Sequence, residues 1–173
     1  MFKKITLMFL VGCLTTLSAQ AVFAAEKVAI VSLQRALNEV KAGKTAKENL
    51  KRDFEKKKKE LMTLKESLEK EGKELEKQKS VLSKEALQQK AQALQKRYFD
   101  IQNKEGEYIK QLKTQEGESA KTILTGLREL VLQMAQSQGY TMVYENSGNN
   151  IIYSKNGEDI TDKLIAEYNA KKK

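Results

Sequence analysis

The chain has no histidine, no proline, no tryptophan and a single cysteine, Cys13. Without histidine, and with its one thiol near the N-terminus, it is not expected to build an imidazole- or thiolate-ligated metal cluster or to use thiol or imidazole catalysis. Gly72, Gly106, Gly117 and Gly126 are scattered through helical pattern, so no Gly-rich phosphate loop is legible. Aromatic residues make up 6% of the sequence and charged residues 32%. A single compact globule needs more large apolar side chains than that. The missing proline has a constructive side, because nothing interrupts a long helical hydrogen-bond ladder. Carboxylates are plentiful between residues 54 and 80, but they sit among lysines at helical spacing and read as solvated ion pairs rather than acid–base machinery. The sequence is not that of an enzyme, and no cofactor is expected.

What is present is lysine, glutamate, leucine, alanine and glutamine at helical spacing, which points to long helices or a coiled coil. The first residues read as an export signal. Lys3 and Lys4 precede the apolar run 5–17, and small-residue cleavage sites follow at 19–21 and 22–24. Cleavage is expected after Ala24, and the apolar run is too short to span a bilayer comfortably. The stretch "LVGC" (10–13) resembles a lipoprotein box, which would lipidate Cys13, but the apolar run continues beyond it. The whole chain carries a net charge of +9. Removing two signal lysines and no acid leaves +7, so the exported protein should seek anionic polypeptides or lipid headgroups. Export argues against a nucleic-acid partner.

Beyond the signal, "KVAIVS" (27–32) reads as a buried strand, and 32–43 as a short helix with Ser32 as N-cap and Gly43 past its end. Thr45 and Glu48 have the spacing of a capping box that opens a long helix. Phe54, Leu61, Leu68, Leu75 and Leu82 repeat every seven residues, whereas the partner row (Leu50, Lys57, Leu64, Glu71, Gln78) is only partly apolar. Ser83 begins a second helix with its own stripe, Leu87, Leu94, Ile101 and Tyr108 in one row and Ala91, Tyr98 and Leu112 in the other. Two stripes with a break between them predict an antiparallel hairpin; one continuous helix dimerising in parallel is the alternative. The second helix turns strongly apolar at Ile123, Leu127, Leu130, Val131 and Met134, and Gly139 ends it. Residues 140–145 and 151–154 read as a β-hairpin around "NSGNN", followed by a short helix capped by Thr161. The expected fold class is α+β, with a body from residues 25–44 and 113–173 and a helical hairpin arm at 45–112. Three short strands per chain are too few for independent stability, so the body should assemble with other copies.

These parts together, "AAEKVAIVSLQRAL", the Lys/Glu hairpin and "SQGYTMVYENSGNNIIYS" followed by "GEDITDKLIAEYN", resemble the Skp (OmpH-like) family of periplasmic chaperones over nearly the whole chain. The resemblance implies a homotrimer whose protomers assemble a central β-barrel. Helical arms would surround a cavity that holds unfolded outer-membrane proteins without ATP. It also makes anionic lipid or lipopolysaccharide a candidate partner, with no residues to assign to it. An envelope coiled-coil spacer or adaptor without chaperone activity is the rival reading. The residues expected to meet a client are Met62 and Phe99, which lie one residue past the stripes. With them go the basic side chains of the arm: Lys56, Lys57, Lys58, Lys59, Lys65, Lys96 and Arg97.

Overall fold

The computed structural model describes residues 26–171; the expected signal segment and Cys13 lie outside the described residues. The chain runs β1 (Val28–Val31), α1 (Leu33–Glu39), α2 (Lys41–Gln78), α3 (Lys84–Gln138), β2 (Met142–Glu145), β3 (Gly157–Asp159) and α4 (Thr161–Lys171). In β1, Ala29 and Val31 are buried while Val28 and Ile30 are only partly so, the alternation expected of a strand with one face on a core. Ser32 caps α1 as its sequence position predicts, accepting a hydrogen bond from the Arg35 N–H at 3.2 Å.

The next junction departs from expectation. Val40 adopts extended backbone (φ −63°, ψ 148°), which ends α1 early, and α2 is already running at Lys41. Thr45 is therefore inside the helix rather than its cap, and Gly43 lies in the first turn of α2 rather than past the end of α1. The cause is tertiary. The side-chain oxygen of Asn169, on α4, accepts from the Lys41 N–H at 2.8 Å and so replaces a local cap. Ser83 caps α3 through Ala86 N–H, and Gly139 closes it in the left-handed region at φ 69°, both where the sequence placed them.

The sheet has the order β2–β1–β3, with both outer strands parallel to β1. This corrects the β-hairpin reading. Residues 140–145 do contain a strand, but 151–154 do not, and the third strand comes later and is shorter. A turn does form at "NSGNN". Asn146 accepts from Asn149 N–H through its backbone oxygen and from Ile151 N–H through its side chain, with Asn149 at φ 52°. Instead of folding 151–154 back on β2, the chain crosses to the far edge of β1, where Asp159 pairs with Ile30. Parallel strands need such crossovers, and the β1-to-β2 crossover contains the whole helical hairpin.

The core lies between the sheet, α1, α4 and the C-terminal third of α3. Ile123, Leu127, Leu130, Val131 and Met134 are all buried, as their spacing predicts. Burying one such side chain contributes about 1.5–3 kcal/mol. Thr161 is not a cap but the first residue of α4. Its hydroxyl is buried and accepts from the Ser32 N–H at 2.9 Å, while Asp159 accepts from the Thr161 N–H at 2.8 Å. Gly126 lets α4 approach α3, since a Cβ there would stand 3.1 Å from the Tyr168 ring.

Candidate functional site

The hairpin of α2 and α3 is the largest feature outside the core. Its partners descend along one helix as they rise along the other: Asp53 with Gln115, Lys57 with Gln111, Glu60 with Tyr108, Glu71 with Arg97 and Gln78 with Lys90. The arrangement is antiparallel within one chain, not a parallel dimer of one continuous helix. The seam is half polar. No residue of α2 is buried, and on α3 only Ile101 is buried outside the 123–134 stretch. Leu61, Leu64, Leu68 and Leu75 on α2, and Leu87 and Leu94 on α3, are only partly buried.

Phe54 and Tyr98, both expected on the stripes, are each 49% exposed. A straight helix drifts about 20° per seven-residue repeat. Three repeats from Leu75 back to Phe54 therefore carry that side chain from the seam onto its flank.

The centre of the seam is a polar cluster of which the heptad reading includes Tyr108 and Lys57 but not Glu60 or Lys104. Glu60 accepts from Lys104 Nζ at 2.5 Å and from the Tyr108 hydroxyl at 2.6 Å. The ammonium of Lys57 stands 4.0 Å from the Tyr108 ring centroid. The hydrogen bonds from Lys104 and then Tyr108 hold the Glu60 carboxyl below its ordinary range, and the same bonds raise Lys104 and Tyr108. Glu71 binds Arg97, which also donates to Ser67 Oγ at 3.2 Å.

The basic residues singled out from sequence therefore separate into two groups. Lys57, Lys65 and Arg97 are engaged within the hairpin, with Gln111, Glu105 and Glu71 respectively. Lys56, Lys58, Lys59 and Lys96 are exposed and make no ion pair among the described residues. The four-lysine run is not one patch, because successive helical residues point in different directions. Met62 and Phe99 are 52% and 50% exposed. Phe99 meets Tyr98 edge-on, with ring centroids 5.9 Å apart.

At the other end of the molecule, Met142 and Tyr144 on the edge strand β2 are half exposed, and Ile152 and Tyr153 are almost fully so. Among the described residues no cluster of His, Cys, Asp or Glu is arranged to hold a metal ion, and no helix is long and apolar enough to cross a membrane.

The chain is thus a small α/β body carrying a long, charged helical hairpin. The model of the family described as outer membrane protein (OmpH-like) matches residues 27–168, and the chain belongs to that family. Its fold is similar to a crystal structure from Caulobacter crescentus CB15 described as a candidate OmpH-like outer membrane chaperone. The TM-score is 0.79 at 25% identity, over 86% of each chain. Comparison with curated proteins gives no match. The family implies a periplasmic location, and both likenesses support a chaperone-type role.

Proposed function

We propose that this chain is an ATP-independent periplasmic holdase, exported by a cleaved signal at 1–24, that binds unfolded outer-membrane proteins between helical arms and prevents their aggregation. The observation that carries the reading is the arm itself. It is two long helices with one buried side chain between them, presenting half-exposed Phe, Tyr, Met and Ile among unpaired lysines. Such a wall offers many weak apolar contacts and a positive field, and no single deep site from which a client could not leave. The body, residues 25–44 and 113–173, assembles as a homotrimer in this reading, and 45–112 form the arm. Support for assembly comes from the unpaired outer edges of β2 and β3, and from the strand-like segment 151–154. That segment finds no partner strand among the described residues and leaves Ile152 98% exposed. Three copies at +7 each would carry +21, a field felt over about 8–10 Å at physiological salt.

Suppression of aggregation when a urea-unfolded β-barrel protein is diluted into the mature chain tests the function. Aggregation that proceeds unchanged at a several-fold excess of the protein would refute it and favour an envelope spacer. A sedimentation mass of one chain at micromolar concentration would refute the trimer. Reversing the charge of Lys56, Lys58, Lys59 and Lys96 should slow client capture, most visibly at low salt.

A further inference from the structure

Six large apolar side chains are exposed on the arm among the described residues: Phe54, Met62, Val81, Tyr98, Phe99 and Ile109. Val81 lies in the turn at the tip. Phe54, Met62, Tyr98 and Ile109 share one flank of the hairpin, whereas Phe99 points outward from the back of α3. On α2, Phe54, Lys58, Met62 and Lys65 follow one another at spacings of four, four and three, which keeps them on one helical face. On α3, Tyr98, Gln102, Glu105 and Ile109 do the same at four, three and four. Gln102 confirms the row by donating to the Tyr98 hydroxyl one turn away at 2.7 Å. The ion pair between Lys65 and Glu105, 2.8 Å long, bridges the two rows and fixes them on the same side. Phe99 meets Tyr98 edge-on but lies a residue further round α3 and is not part of the row.

The antiparallel pairing sets the levels. Ile109 falls between Phe54 and Met62, and Tyr98 stands further toward the tip. The row is roughly 24 Å long at about 1.5 Å per residue. On the opposite flank, Thr63, Lys70, Asp100 and Glu107 are exposed with no large apolar side chain among them.

We propose that this flank is the client-contact face of the arm and that its occupant is an extended, unfolded polypeptide segment with apolar side chains on alternate residues. The proposal rests on the holdase reading. The spacing excludes a second arm as occupant. A coiled-coil seam needs an apolar residue every three or four positions, whereas Phe54 and Met62 are eight apart and Tyr98 and Ile109 eleven apart. An extended chain has no such requirement. It presents same-face side chains about every 6.6–6.8 Å and can shift to meet irregular anchors. A row of about 24 Å then matches roughly seven residues of strand, most of one transmembrane β-strand. Lys58, unpaired between Phe54 and Met62, supplies a donor for an acidic residue in such a segment.

Two measurements on the full mature chain test this. A photoreactive phenylalanine analogue is placed at Tyr98 or Ile109, on the apolar flank, or at Asp100 or Glu107, on the polar one. The protein is then irradiated with a urea-diluted, unfolded β-barrel polypeptide. Adducts with the client should form from 98 and 109 and be several-fold weaker from 100 and 107. In parallel, Phe54→Ser, Met62→Ser and Ile109→Ser combined should weaken capture about tenfold, the loss expected for removing three partly buried apolar contacts. Assembly mass and melting temperature should be unchanged. Equal labelling from both flanks, undiminished affinity of the triple variant, or adducts from Tyr98 to a second copy of the chain would overturn the assignment while leaving the holdase reading intact. Failure of the unsubstituted protein to suppress aggregation would remove that reading and this one with it. Should the triple variant prove unstable, the labelling pattern alone decides.

Discussion

Glycine to alanine inside a helix ordinarily stabilises, by about 0.5–1 kcal/mol, because alanine restricts the unfolded chain and fits the helical backbone. Gly43 should do the opposite. It lies in the first turn of α2, where α1 ends and the chain bends at Val40. A Cβ built on it would stand 1.8 Å from the carbonyl oxygen of Leu37 and 3.0 Å from the carbonyl carbon. A carbon and an oxygen in contact normally keep about 3.3 Å or more, so the two helices would have to part by roughly 1.5 Å. The obstructing atoms are backbone, and no rotamer change relieves them. Overpacking of this kind costs about 1–3 kcal/mol, occasionally more. With the helix-propensity gain set against it, the net loss remains about 1–2 kcal/mol. In a chain of this size that lowers Tm by about 3–8 °C.

The assay is thermal unfolding followed by helical circular dichroism at one fixed protein concentration, since an assembling protein melts concentration-dependently. Gly72, Gly106 and Gly117 serve as internal controls: nothing stands within 4 Å of a Cβ at any of them. Their alanine variants should melt at or above the unsubstituted protein. A Gly43→Ala protein that melts with those three would refute the reasoning. The same substitution should also re-aim the arm, because the α1–α2 elbow sets its direction. Scattering-derived dimensions should therefore change for Gly43→Ala and not for the other three.

Thr161→Val leaves the Ser32 N–H without its acceptor and should cost about 1–3 kcal/mol. Thr161→Ser should cost less, and urea midpoints that do not distinguish the two would count against the bond. Ile101→Ala should open the middle of the arm by about 2–4 kcal/mol, read as faster amide exchange in 57–72 and 97–112 with the body unaffected. Stability should hold nearly level from pH 5 to 9, since no histidine titrates there. For Glu145 and Asp159 burial pushes upward, but hydrogen bonds led by the hydroxyls of Ser147 and Thr161 outweigh it, and both carboxyls sit below their ordinary range. Their contribution is complete above the unfolded pKa, near 4, and disappears as pH falls through the lower folded values. Burial first, and the hydrogen bond to Glu158 second, push the Tyr140 phenol up to about 12 from 10. Its contribution is complete below pH 10 and disappears as pH rises toward 12; Tyr140→Phe should flatten that alkaline fall, and an unaltered fall would place its cause elsewhere.

Local chemistry was legible in the sequence, and pairing between distant segments was not. Ser32, Ser83 and Gly139 announce helix ends because each completes its cap with atoms three to five residues away. The Val40 break was hidden because the group that satisfies Lys41 N–H is Asn169, more than a hundred residues on. The strand at 142–145 was visible in its β-branched and aromatic run. Its partner was not, because alternation shows that a segment can pair and says nothing about which edge it will find. Gly157–Asp159 carries no strand signal of its own and is a strand only because β1 offers it a ladder. On the arm, Met62 and Phe99 were picked out as off-seam residues. Phe54 and Tyr98 read as seam residues because a strict heptad count ignores the drift of a straight helix, while Ile109 was legible by the same off-seam position, one residue past Tyr108, and was not picked out.

That drift and the polar seam belong to one physical argument. The cross-seam charges are half exposed and screened by solvent, so they are a poor source of stability. They are a better source of register. Arg97 lies level with Glu71; slipping α3 by one heptad would set it level with Leu64 in one direction or Gln78 in the other, and would break its paired contacts with Glu71 and Ser67. Glu60 likewise needs Lys104 and Tyr108 together. A wholly leucine seam would hold the arm more tightly but would tolerate slipped registers, and each slip would turn a different flank toward the client. With the register fixed by polar pairs, Phe54, Ile109, Met62 and Tyr98 stay in one row. The seam keeps few of the apolar groups for itself, and those it leaves exposed are held in a constant arrangement.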